Sequence, residues 1–203
     1  MKGLLLKDFY TLFKQMKIML LILVIFACMP GYSVASFAIF YAALLPVTAL
    51  AYDERCKWNE LAVMMPYSSR DIVLSKYVLG FIFVLAASAI AAAAQFITAA
   101  LGSAAPDTGA LLSLLLSACL SLILLDVNLP IMYRLGVEKG RIAFIILIFA
   151  GVMSAVSLGD RLIAVLAGFH SLALPTAGML LFTVLFSAAS AALSVNIYRH
   201  KTN

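Results

Sequence analysis

The stretch IMLLILVIFACMPGYSVASFAIFYAALLPVTALAY, residues 18–52, carries no charged side chain. A membrane-crossing helix needs about 20 mostly apolar residues, with about 17 as the lower bound. The run has room for two such helices, and Pro30-Gly31 near its middle is a turn signal. It is read as two short spans joined by a tight hairpin. Working outward, residues 77–100 form a third span and residues 108–133 a fourth, which takes in Asp126. Residues 142–159 form a fifth, and the apolar run 162–198 holds a sixth with length to spare.

The basic residues test this count. With both termini on the cytoplasmic side, the inner segments hold Lys2, Lys7, Lys14, Lys17, Arg55, Lys57, Arg70 and Lys76. They also hold Arg134, Lys139, Arg141, Arg199 and Lys201, which leaves only Arg161 of the 14 basic residues outside. Such asymmetry is what the positive-inside rule demands of a correct topology. A single span over residues 18–52 would put the Arg55–Lys76 loop outside. A seventh span within 162–198 would do the same to Arg199 and Lys201. The surplus segment near 162–171 is read as an outer re-entrant or interfacial helix, with His170 as a polar cap.

Composition agrees. Of 203 residues, 65% are apolar and 11% charged, against roughly a quarter charged in soluble domains. A soluble enzyme, a disordered chain and a nucleic-acid-binding domain are excluded, and the net charge of +5 belongs to membrane-side loops. Cys28, Cys56 and Cys119 share no metal-ligand spacing and predict no disulfide framework. Phe26 to Pro30 makes a poor cleavage site, so the first span is expected to stay in place.

Residues 1–17 predict an amphipathic helix in the cytoplasmic interface. Leu5, Phe9, Leu12, Phe13 and Met16 share one face, with Lys7, Thr11 and Lys14 opposite. The loop of residues 53–76 is the most charged segment and holds Trp58, the one tryptophan. A helix is expected over residues 54–65, and Pro66 divides it from a second that Ser68 or Ser69 caps and Asp71 supports in its first turn. Asp53, Glu54, Arg55, Lys57, Trp58 and Glu60 then form either a docking face for a soluble partner or a solvated linker anchored by Trp58; composition does not separate the two.

Pro130 is expected to break the fourth span near its inner end, ahead of a loop at residues 134–141 with Gly136 and Gly140. Asp126 and Asn128 form a candidate intramembrane polar site. Asp126 is read first as a structural partner of a basic loop residue such as Arg134, and second as a proton or substrate group. No phosphate-binding loop, metalloprotease motif or nucleophile elbow occurs. Catalytic, cofactor-binding and metal sites are therefore not expected in this chain.

Three strings resemble a known family. AYDERCKWNE (51–60) with MPYSSRDIV (65–73) and Ser75-Lys76-Tyr77 looks like the cytoplasmic loop of bacterial ABC-2-type transporter permeases. LPIMYRLGVEKGR (129–141) and the opening MKGLLLKDFY (1–10) resemble the same group, closest to its small six-span permeases encoded apart from their ATPase. The resemblance implies an all-α integral membrane protein in the bacterial cytoplasmic membrane. It implies pairing with a second permease copy or a homologous permease, and a separate ATP-binding subunit that holds ATP and Mg. Residues 53–65 would be its coupling helix and residues 1–17 its connecting helix. Such permeases mostly export peptides, antimicrobial agents or lipid-like compounds. Two other readings are a non-transporting membrane scaffold or assembly factor and a gradient-driven carrier that uses Asp126.

Overall fold

The computed structural model describes residues 2–15, 17–28, 32–65, 67–101, 108–150, 153 and 173–202. Nearly all of these are helical, and no strand occurs among them. In chain order the helices are α1 (Lys2–Gln15), α2 (Lys17–Cys28), α3 (Tyr32–Arg55), α4 (Trp58–Met64) and α5 (Ser69–Leu101). They continue with α6 (Thr108–Leu135), α7 (137–150) and α8 (Ala173–Thr202). Four are long and apolar enough to cross a membrane, over Val34–Arg55, Ser69–Ala100, Leu111–Leu135 and Thr176–His200. The described part of α2 has 12 residues, about 18 Å of helix. The Pro30-Gly31 hairpin, Pro66, His170 and the segment 162–171 lie outside the described residues.

α3 is the most enclosed of the four long helices and α8 the least. α3 packs on α2, α5 and α6, and α8 closes the bundle against α6 and α5. Small residues let these backbones approach: Ala35, Ala38, Ala42, Ala43 and Ala49 of α3 are all buried. At Gly80 of α5 the fit is tightest. A Cβ there would run into the Leu125 side chain and lie 3.1 Å from Pro46 Cγ, so α3, α5 and α6 meet at a point only glycine fits. The outer side of α8 presents Leu181, Val184 and Leu185 to the surroundings. A helix apolar on its inner and outer faces alike belongs in lipid.

Several boundaries differ from the sequence reading. The helix of the third span begins at Ser69, well before residue 77, with the Arg70 N–H donating to Ser68 Oγ at 3.1 Å and Asp71 in the first turn. The inner helix expected over 54–65 is shorter, because α3 runs on to Arg55 and α4 starts only at Trp58. Pro130 does not break its span: α6 runs through it to Leu135. Proline lacks an N–H and so frees the carbonyl four residues back, here that of Asp126. The Ser190 hydroxyl of α8 donates to that carbonyl, the kind of substitute bond that lets transmembrane helices keep a proline.

The expected loop at 134–141 shrinks to one residue. Gly136 has φ +80°, its N–H returns to the Met132 carbonyl at 2.9 Å, and α7 begins immediately after. This is the left-handed glycine stop of a helix. Gly140 then lets α7 fold back closely, since a Cβ there would meet Met132 Sδ at 2.6 Å.

Candidate functional site

Four charged residues from three helices gather at one end of the bundle. Asp8 lies in the middle of α1 on the edge Leu4, Asp8, Leu12, all three buried. This seated edge is rotated from the expected one: Phe9 and Phe13 are 39% and 49% exposed and flank it. Their rings lie 4.7 Å apart, and Phe9 stacks on Phe83 of α5 at 5.8 Å. The rotation has a cause in charge. Lys76, in the second turn of α5, is only 3% exposed in its side chain and Asp8 only 2%. The Lys76 ammonium donates to Asp8 Oδ1 at 2.7 Å and to Asp53 Oδ2 at 2.5 Å. Lys7 donates to the other oxygen of Asp53 at 2.5 Å and lies 3.1 Å from Asp8 Oδ1.

Two lysines and two aspartates thus form a neutral cluster that pins α1, the end of α3 and the start of α5 together. Buried charges persist only when paired and hydrogen-bonded, and here each has at least one partner. The Lys7 ammonium also sits 4.1 Å from the centre of the Trp58 ring, a cation–π contact that extends the cluster to α4.

The turn between α3 and α4 is bent at Lys57, the one described non-glycine residue with positive φ, at 52°. A left-handed residue with a Cβ costs roughly 1–2 kcal/mol, so the turn is held by its surroundings. One such hold is Glu54, whose Oε2 accepts the Val137 N–H at 2.8 Å. That carboxylate closes the positive N-terminal end of α7, a favourable place for an anion. Beyond the turn, α4 turns Leu61 and Met64 outward, 49% and 84% exposed.

Deeper in the bundle, Ser190 spends its single proton on the Asp126 carbonyl, so it must accept from the Tyr77 hydroxyl 2.7 Å away. Tyr77 in turn must accept from Ser194 at 2.8 Å. The chain Ser194 to Tyr77 to Ser190 to the Asp126 carbonyl therefore runs in one direction and ties α8, α5 and α6. The Asp126 carboxylate is buried and neither oxygen has a hydrogen-bond partner among the described residues. Pairing with Arg134 is not what the structure contains: Arg134 is exposed on the last turn of α6, and no described basic group bonds to Asp126. Asn128, two residues on, is also buried, its Oδ1 is without a partner among the described residues, and it faces a groove beside α3 and α7.

A family model described as ABC-2 family transporter protein matches residues 3–199, nearly the whole chain. The chain belongs to the ABC-2 transporter family. No curated protein and no solved structure matches it. As an ABC-2 family protein with four long apolar helices, it is a multi-pass membrane component of a transport system.

Within this ABC-2 protein the residues singled out in the 53–60 stretch divide into two sets. Asp53 points inward to Lys7 and Lys76, and Glu54 bonds sideways to α7. Arg55 and Lys57 are exposed, and Trp58 is half-buried under Lys7. The Glu60 side chain lies outside the described ones. Asn128 borders the groove beside α3 and α7, and the Asp126 carbonyl lies against Ser190 of α8. Sequence reasoning missed Asp8 and Lys76 as partners. Two signals were present: an acid amid the apolar residues of MKGLLLKDFY, and a lysine just inside a span.

Proposed function

We propose that this chain is the membrane-spanning permease subunit of an ABC exporter in a bacterial cytoplasmic membrane. Two permeases, as two copies or as a pair of homologues, would enclose the pathway. Each would seat one separate ATP-binding subunit, which supplies ATP, Mg and the hydrolysis. The cargo class is a peptide, an antimicrobial agent or a lipid-like compound, moved outward. Six spans with both termini inside fit this arrangement, with α2 and α7 completing the four long helices.

The observation that carries the proposal is the ion cluster under the α3–α4 turn. A docking helix transmits force only if it is rigidly tied to the spans it must move. Here Lys7, Asp8, Asp53 and Lys76 join α1, α3 and α5 beneath it, and Trp58 of α4 rests on Lys7. Arg55, Lys57, Trp58 and Glu60, with the outward Leu61 and Met64, form the partner-facing surface. Asp53 and Glu54 act from beneath as its anchors. When the ATP-binding subunits close, the push on α4 passes through the cluster and rocks α3 and α5 together.

Co-purification tests this directly. Trp58→Ala combined with Glu60→Ala is expected to weaken capture of the ATP-binding subunit and to lower permease-stimulated ATP hydrolysis. Unchanged capture together with unchanged stimulation would overturn the docking assignment.

One observation favours a second reading. A buried Asp126 carboxylate with no hydrogen-bond partner among the described residues is what a gradient-driven carrier would need. Full transport by Asp126→Asn after collapse of the proton gradient removes that reading.

A further inference from the structure

A groove of about 350 Å³ opens between α3, α6 and α7, and its chemistry is that of an amphiphile site. Its walls are Leu44 and Val47 of α3, Met132 of α6, and Phe144, Ile145 and Ile148 of α7. Four polar side chains break this apolar lining: Tyr41 and Thr48 of α3, the latter donating its hydroxyl proton to the Leu45 carbonyl at 2.6 Å, together with Arg141 and Asn128. Arg141, at the mouth, is exposed and makes no hydrogen bond or ion pair among the described residues. Asn128, at depth, is 1% exposed and its Oδ1 has no partner among the described residues. The buried Asn128 amide is the finding that points to a ligand, and the exposed Arg141 guanidinium at the mouth sets its charge as anionic. A buried amide normally finds a hydrogen-bond partner, and a cation on a helix that faces lipid is costly unless it meets an anion or water.

The vertical order fits a lipid. Arg141 lies one turn from the Gly136 junction, at the same charged end as the Lys7–Asp8–Asp53–Lys76 cluster, while Asn128 lies about two turns back along α6. Ile145 and Ile148 are 52% and 38% exposed, so the groove is open sideways to the apolar phase.

We propose that this groove binds one anionic phospholipid, with its phosphate on Arg141 and an acyl chain along the Leu44–Ile148 walls. The guanidinium fork suits a phosphate with two N–H donors. Asn128 would meet the ester region below the phosphate, where a half-turn of its amide presents the NH₂ group to an ester oxygen. Basic pockets between transmembrane helices hold lipid phosphates in the same way. The inference concerns the isolated chain and does not depend on the transport assignment.

The test is native mass spectrometry of the purified chain with added dioleoyl-phosphatidylglycerol or dioleoyl-phosphatidylcholine. The wild type is expected to retain the anionic lipid more strongly than the zwitterionic one. Arg141→Gln should weaken phosphatidylglycerol binding about fivefold, the worth of one cation near a phosphate. Lys139→Gln, which removes an exposed charge outside the groove, should leave that binding unchanged. Ile145→Trp, which fills the groove, should weaken binding while Arg141 remains. Equal losses in Arg141→Gln and Lys139→Gln would overturn the site in favour of general surface charge. Inorganic phosphate competing as well as the lipid would replace the lipid by a free anion and overturn it too. Efficient disulfide formation between two copies of Ile145→Cys would assign the groove to a second copy of the chain, with the same result.

Discussion

Lys76→Met is the sharpest perturbation of the ion cluster. Lys76 bonds both Asp8 and Asp53, and its side chain is 3% exposed against 2% for Asp8 and 10% for Asp53. Methionine keeps the stem's apolar packing but removes the ammonium. Two buried carboxylates then face a single cation, Lys7. Charge-assisted hydrogen bonds contribute about 1.5–3 kcal/mol each, and stripping one partner from a buried pair costs roughly 3–5 kcal/mol. For a chain of this size each kcal/mol moves Tm by about 2–4 °C, so a fall of about 6–20 °C is expected.

Thermal unfolding of the detergent-purified protein measures this fall. Hydrogen exchange should show α1 losing protection first, because α1 is held to α5 through Asp8. Adding Asp8→Asn to Lys76→Met removes the excess negative charge and should recover part of the loss. The size of that recovery gives the coupling of the pair. A Lys76→Met variant within about 2 °C of the wild type, or one that Asp8→Asn destabilises further by its full single-mutant cost, would refute the reasoning.

Three further outcomes follow from the packing. Gly80→Ala should destabilise by about 1–3 kcal/mol because its Cβ overlaps the buried Leu125. Gly178→Ala, with no described atom within 4 Å of the new Cβ, should instead stabilise α8 by about 0.5–1 kcal/mol; paired melting curves check both. Ser190→Ala should cost about 1–3 kcal/mol by leaving the Asp126 carbonyl unsatisfied, and much less in a Pro130→Ala background, where the helix's own N–H returns; a double-mutant cycle reads the difference. Glu54→Gln keeps an acceptor but loses the charge facing α7, so it should cost only about 0.3–1 kcal/mol, whereas Glu54→Ala should cost more; chemical denaturation ranks them.

Much of this architecture was legible because membrane burial writes long uncharged runs, and basic residues mark their ends. The long helices α3, α5, α6 and α8 lie where those runs place them, and all four extend past the predicted ends. Their ends were misread where a local rule met a tertiary partner. Pro130 reads as a helix breaker until Ser190, sixty residues on, supplies the bond that proline forfeits. Residues 134–141 read as a loop because Gly and charge cluster there, but one left-handed glycine and the remote Glu54 carboxylate are enough to start α7 at once. The amphipathic wheel of α1 ranked residues by hydrophobicity and so set Asp8 aside. Asp8 faces inward only because Lys76 and Lys7 wait there, and no local pattern encodes a partner sixty-eight residues away. The 53–60 stretch was found by its charge density, but which charges anchor and which are presented outward depended on the fold.

The central claim, that α4 is the seat of an ATP-binding subunit, is tested most directly by site-specific photo-cross-linking in the membrane. A photoreactive residue at Met64, 84% exposed on α4, is compared with one at Gly178 near the start of α8. The account predicts a covalent adduct with the ATP-binding subunit from position 64 and none from position 178. No adduct at 64, or equal adducts at both positions, would contradict it.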